Sequence, residues 1–156
     1  MITKPVQDFY PEAFAHCYGC GRLNEHGHKI RSFWDGEETV MRFTPEEYHI
    51  SIPGYVYGGL LASLIDCHGI GSAALAAYQA ENREPGSLPA FRFVTASLQV
   101  DYLKPTPLGV ELLLRGKILE IKGRKVITEV TVSANGEITA IGKVIGVQIP
   151  ESFNRG

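Results

Sequence analysis

From Leu60 to Tyr78 the chain is apolar nearly all round rather than along one stripe. At helical spacing such a segment has no face to give to water, so it predicts a buried helix over about residues 59–79. Elsewhere apolar and polar positions alternate, the period of strands. Residues 29–34 and 38–43 alternate on either side of Asp35-Gly36, a hairpin signal. A loop with Pro45, Pro53 and Gly54 leads from there to the helix. Residues 81–89, polar with two prolines and a glycine, predict a mobile connection that could gate a site. Four strands follow. Residues 92–102 alternate up to Lys104-Pro105-Thr106-Pro107, where proline ends the ladder. Residues 110–121 and 125–133 flank Lys122-Gly123-Arg124, and Asn135-Gly136 turns the chain into 137–149. The order ββαββββ predicts an α+β domain over residues 1–156, with 1–16 as a lead-in. Its antiparallel sheet wraps one long central helix, and strands close in sequence are expected as neighbours.

One residue breaks the apolar pattern. Asp66 sits inside the helix, where a carboxylate that loses water costs several kcal/mol or more unless it is paired or hydrogen-bonded. Gly58 and Gly59 stand at the helix start, eight and seven residues earlier. Glycines admit a substrate close to the backbone, and a helix N-terminus offers free N–H groups to a developing oxyanion. An acid plus an oxyanion site is the minimal equipment for acyl chemistry. Eight helical residues span about 12 Å, too far for Gly58 and Asp66 of one chain to serve the same carbonyl. If both are catalytic, two antiparallel copies of the helix must combine, which predicts a symmetric dimer with composite sites.

Composition narrows the class. A length of 156 residues suits one domain with a sizeable core, and 44% hydrophobic with 21% charged residues is an ordinary globular balance. A net charge of −2 gives no general attraction to nucleic acid or to a membrane surface. No run reaches about 18 apolar residues free of charge, so no membrane span is expected. The first residues, with Lys4, Pro5, Gln7 and Asp8, lack the apolar core of a secretion signal. Three cysteines, an odd and small number, fit a reducing cytoplasm.

Gly58-Gly59, Asp66 seven residues after the second glycine, and Thr95-Ala96-Ser97-Leu98-Gln99-Val100-Asp101-Tyr102-Leu103-Lys104-Pro105 together resemble the hotdog-fold acyl-CoA thioesterases, nearest the PaaI-like branch that includes the mammalian thioesterase superfamily members. The resemblance covers roughly residues 17–149 and takes in Cys17-Tyr18-Gly19-Cys20-Gly21. It implies a hotdog fold and hydrolysis of an acyl-CoA thioester by a homodimer or a dimer of dimers, with no cofactor. Asp66 would be the catalytic base or nucleophile, and Gly58 with Gly59 the oxyanion donors. Thr95 would assist beside the acid, and Asp101, Arg124 and Lys125 would contact coenzyme A. Two adjacent cations at a turn suit phosphate. The chain departs from the family where Tyr57, a bulkier phenol, replaces the histidine of the usual His-Gly-Gly, and as a candidate substrate-binding residue Tyr57 would change the shape of the acyl pocket. Leu103 stands where close relatives carry a basic residue.

Two other functions compete. A non-catalytic acyl-CoA binding module would explain Tyr57. An enoyl-thioester hydratase or dehydratase wants a histidine beside the acid, but position 71, five after Asp66, is glycine and Tyr57 takes the place of the motif histidine. His68, about 200° round the helix from Asp66, does not share its face, so neither an Asp66–His68 nor a Cys67–His68 dyad is expected. Thr95 would share a strand face with Ser97, Gln99 and Asp101 at period two. His49, in the loop before the helix, could line a pocket or lie on the surface. Cys17 and Cys20 with His16, His26 and His28 have some of the spacing of a zinc set, but lack a second cysteine pair, so a glycine-rich turn without metal is expected.

Overall fold

A computed structural model describes residues 3–150; residues 1, 2 and 151–156, the ends of the expected 1–156 domain, lie outside it. Two short 3-10 turns, Val6–Phe9 and Glu12–Phe14, begin the described chain. Strands β1 (Phe33–Trp34) and β2 (Thr39–Phe43) precede the helix α1 (Gly58–Ala80). Strands β3 (Phe93–Tyr102), β4 (Leu112–Lys122), β5 (Lys125–Ala134) and β6 (Glu137–Gln148) follow. All six form one antiparallel sheet packed around α1, the hotdog arrangement expected from the sequence.

The helix has the burial that its sequence implies: 14 of its 23 residues are buried. Leu60, Leu61, Leu64 and Ile65 meet Leu112, Leu114, Val130, Val132 and Val144 in the core. In length and hydropathy α1 could cross a membrane, yet 72% of its most apolar window is buried within the fold, as in a core helix. Two close approaches set the spacing of helix and sheet. A Cβ on Gly142 would lie 2.3 Å from Ile65, and one on Gly69 would lie 2.6 Å from Val144. Glycine at both positions lets backbone meet side chain where any larger residue would push the layers apart.

Two expectations need correction. The strand expected over 29–34 shrinks to Phe33–Trp34, because Lys29 takes a left-handed backbone (φ 56°) and residues 28–30 pair instead with the Tyr18-Gly19 turn. Consecutive strands are not always neighbours. The sheet order is β1-β2-β4-β5-β6-β3, so β3 crosses to the far edge and pairs with β6. The segment 81–89, favoured as a plain linker, is held at its ends by Arg83. Arg83 donates to the Ser87 and Pro89 carbonyls (2.8 and 2.6 Å), and its guanidinium lies over the Tyr78 and Phe91 rings.

His68 is fully buried on the sheet side of α1 and holds a polar chain. The Thr39 carbonyl can only accept, so Nε2 (3.3 Å away) carries the proton, and Nδ1 accepts from the Ser32 hydroxyl at 2.8 Å. Gln7 then donates to Ser32 Oγ (3.2 Å) and accepts from the Ser32 N–H (2.8 Å). Burial pushes the His68 imidazole down to about pKa 4, so it stays neutral as the network requires. The expectation that His68 takes no part with Asp66 agrees with this: both of its nitrogens are engaged elsewhere.

Candidate active site

Asp66 lies on the part of α1 that the sheet leaves partly open, a stripe of half-buried positions through Gly59, Ser63, Asp66 and Ile70. Across from it, Thr95 Oγ1 donates to Asp66 Oδ1 at 2.5 Å. Burial raises the Asp66 pKa above the ordinary carboxylate value, the Thr95 hydrogen bond opposes that rise, and the neighbouring Cys17 adds to it. A carboxylate partly stripped of water and held by one hydroxyl is a stronger proton acceptor than a surface aspartate.

The face expected for Thr95 was wrong, for a reason the structure makes clear. Thr95 pairs with Gly146 and Ser97 with Ile145, so Ala96 is an extra residue, a bulge. The bulge reverses the alternation. Val100 packs on the core, and its partner Gly142 faces Ile65, so Leu98 and Val100 point to the helix while Ser97, Gln99 and Asp101 point away. Thr95 also faces the helix, N-terminal to the bulge. Without it, Thr95 and Val100 could not both do so.

A cavity of about 320 Å³ opens at this pair. Asp66 and Thr95 line it with Phe91, Ile70 and the three thiols of Cys17, Cys20 and Cys67. Cys67 had no role in the sequence reading. Its signal was its place beside Asp66, but only the fold brings it to Cys17, with the two sulfur atoms 3.8 Å apart. His16 also lines this cavity, and the other histidines near the turn go elsewhere. His28 stacks edge-on with Tyr18, Phe43 and His49, so His49 belongs to that aromatic cluster, and His26 pairs with Glu25 at the surface.

The remaining candidates sit apart from Asp66 in one chain. Gly58 and Gly59 open α1, and no side chain caps that end, which leaves their N–H groups outside the helical ladder. The Tyr57 ring lies over Gly59, and Tyr102 Oη donates to the Gly58 carbonyl at 2.7 Å. None of these residues lines the Asp66 cavity. Asp101 is exposed near this end of β3. Arg124 and Lys125 lie at the opposite end of the sheet, where Gln148 donates to the Arg124 carbonyl and Lys125 pairs with Val147. The structure therefore unites Asp66 and Thr95, and separates them from the glycine pair by the eight-residue helical spacing.

Known proteins agree with this architecture. A structure of a thioesterase superfamily protein from Shewanella loihica PV-4 is 44% identical, covers 90% of this chain and 100% of its own, and superposes with a TM-score of 0.68. A Streptococcus mutans UA159 structure bound to acetyl CoA shares the fold at 17% identity, with 82% of this chain and 96% of its own covered and a TM-score of 0.64. The acyl-coenzyme A thioesterase THEM4 of Xenopus laevis is 32% identical over 99 residues, which cover 63% of this chain and 38% of that protein. The matched region thus spans only about two fifths of the curated relatives' length. The Thioesterase superfamily model matches residues 53–141, more than half of the chain and inclusive of α1, Asp66 and Thr95, and on that match this protein belongs to the thioesterase superfamily.

Proposed function

We propose that the protein hydrolyses acyl-CoA thioesters to a free acid and coenzyme A. The observation that carries this reading is the Asp66–Thr95 pair in a cavity of the thioesterase fold. Asp66 takes a proton from water as the water attacks the thioester carbonyl. The carbonyl oxygen, now an oxyanion, is held by the Gly58 N–H, with Gly59 beside it. Collapse of the tetrahedral intermediate breaks the C–S bond and expels the coenzyme A thiolate, which takes up a proton. Thr95 orients the carboxylate. This chemistry draws on no cofactor.

The site is composite, with Gly58 from one protomer and Asp66 from its partner. Three features support a dimer. The helical spacing forbids one chain from doing both jobs. The half-buried stripe on α1 leaves Asp66 open to a neighbour. Strand β3 is a ten-residue sheet edge with Val94, Leu98 and Tyr102 exposed, an edge that a monomer would have to protect. Pairing of two β3 strands would cover it, as a dimer or as half of a dimer of dimers. Three free thiols favour a reducing, cytoplasmic setting.

The test is free-thiol release from a panel of acyl-CoAs, with enoyl-CoA absorbance followed in parallel. Thiol release supports hydrolysis. Saturable acyl-CoA binding without release would leave only a binding module, and loss of enoyl absorbance alone would mean hydration. Complementation tests the composite site. Gly58→Pro deletes one N–H at the first helical position, where proline fits, and follows an already extended Tyr57 (ψ 127°). It should lower kcat about 10²–10³-fold, the usual loss for one oxyanion donor. Mixing unfolded and refolded Gly58→Pro and Asp66→Asn chains should restore activity that neither has alone. No recovery in confirmed mixed oligomers would place both groups in one chain's site.

Two smaller effects complete the set. Thr95→Ala should lower kcat about tenfold with KM little changed, since it loosens the base without removing it. Arg124→Ala together with Lys125→Ala should raise KM for acyl-CoA about 5–10-fold at constant kcat, the effect of losing exposed charge-assisted contacts to phosphate. An unchanged KM would remove that turn from the coenzyme A site.

A further inference from the structure

The three cysteines occupy 50 positions of sequence but one point in space. The sulfur atoms of Cys17, Cys20 and Cys67 all lie within 4.8 Å of one another, and those of Cys17 and Cys67 are 3.8 Å apart. A disulfide would need about 2.05 Å. Thiolates on a tetrahedral zinc, with Zn–S bonds of about 2.3 Å, stand about 3.8 Å apart. The 3.8 Å separation, which a thiol–thiol hydrogen bond spans as the chain stands, also matches that of two ligands with an ion between them.

The surrounding backbone is shaped to the same end. Cys17-Tyr18-Gly19-Cys20 has the two-residue spacing of a chelating cysteine pair. Gly21 N–H closes the turn onto the Cys17 carbonyl at 2.8 Å, and Ile30 N–H binds the Gly19 carbonyl at 3.1 Å, so the loop is fixed from both sides. Cys67 reaches it from α1. A Cβ on Gly19 would lie 2.4 Å from the Cys67 sulfur, so only glycine there lets the helix thiol approach the loop.

From this geometry we infer a zinc site in which Cys17, Cys20 and Cys67 are the three protein ligands. Three thiolates select a soft or borderline ion over calcium or magnesium. Cys20 and Cys67 are buried and Cys17 is exposed, which gives the ion a path in. All three cysteines line the cavity that also contains Asp66 and Thr95, so the fourth coordination position opens into that cavity and is free for water or a small thiol. None of the nearby histidines is in the set: His26 and His28 are engaged as described above, and His16, exposed and lining the same cavity, is not among the mutually close ligand atoms. Bound zinc would tie the lead-in turn to the helix beside Asp66.

The experiment uses the full chain, fully reduced and free of oxygen, titrated with cobalt(II) in place of zinc. The expected result is thiolate-to-cobalt charge transfer in the near ultraviolet and tetrahedral d–d bands in the visible. Both should saturate at one cobalt per chain and be bleached by one equivalent of zinc. Cys17→Ser, at an exposed position where folding is not at stake, and Cys67→Ser should each lose the three-thiolate spectrum. His16→Ala and His28→Ala should keep it. Zinc should raise the melting temperature of the wild type and leave that of Cys17→Ser unmoved. Absence of the bands in the reduced wild type would overturn the site. So would bands that persist in a folded Cys17→Ser protein. Because each readout is spectroscopic or thermal, the result does not depend on whether the chain hydrolyses thioesters.

Discussion

Asp66→Asn yields a protein that folds as the wild type does and has lost its turnover, with kcat down by about 10²–10⁴-fold, the usual contribution of a positioned general base. Asparagine keeps the shape, and its carbonyl oxygen still accepts the Thr95 hydroxyl that now meets Oδ1. What it cannot do is take a proton from water. The expected signature is a fall in kcat with KM for acyl-CoA nearly constant, because the substrate's binding groups are untouched. The melting temperature should hold or rise, since the wild-type carboxylate is held in a place where burial disfavours its charge. Thiol release and thermal melting on the same preparation check both halves. Turnover within about threefold of wild type would remove Asp66 as the base.

His68→Ala, two residues further on, acts on stability instead. It leaves Ser32 Oγ and Thr39 Oγ1, both buried, without their imidazole partner, and opens a void at a fully buried position. Each lost hydrogen bond costs about 0.5–1.5 kcal/mol, since Ser32 Oγ keeps Gln7 and Thr39 Oγ1 keeps Ser72, and the void adds to that, so a loss of about 3 kcal/mol is expected. For a domain of this size that lowers the melting temperature by roughly 6–12 °C. Denaturant unfolding of this variant beside His26→Ala, a surface histidine, measures the difference. A loss under about 1 kcal/mol would mean that water or repacking satisfies the network. Together the two variants separate neighbours on one helix: an acid proposed to carry chemistry on the open side, and a histidine that ties buried polar groups together on the closed side.

Much of this was legible in the chain. The all-round apolar run became the buried Gly58–Ala80 helix, within one residue at each end of the expected 59–79. Asn135-Gly136 and Lys122-Gly123-Arg124 became the turns of the two long hairpins, because the backbone conformations they need are written in those residues. Asp66 was conspicuous as the one charge in an apolar helix, and the eight-residue gap to Gly58 follows from helical rise alone.

Other features needed the folded chain. Alternation says that residues 93–102 form a strand, but not that β3 leaves its neighbour β4 and pairs with β6 across the sheet. One inserted residue, Ala96, turns Thr95 onto the helix, and a period-two pattern cannot reveal that the count has slipped. The sequence by itself determined which segments are buried, where the chain turns and which carboxylate is out of place, because burial period and turn chemistry are local. Only the tertiary structure decided that Thr95 meets Asp66, that His68 ties Ser32 to Thr39, and that Cys67 joins Cys17 and Cys20. Those contacts join residues 29 to 50 positions apart, and their geometry depends on how the sheet curls round the helix.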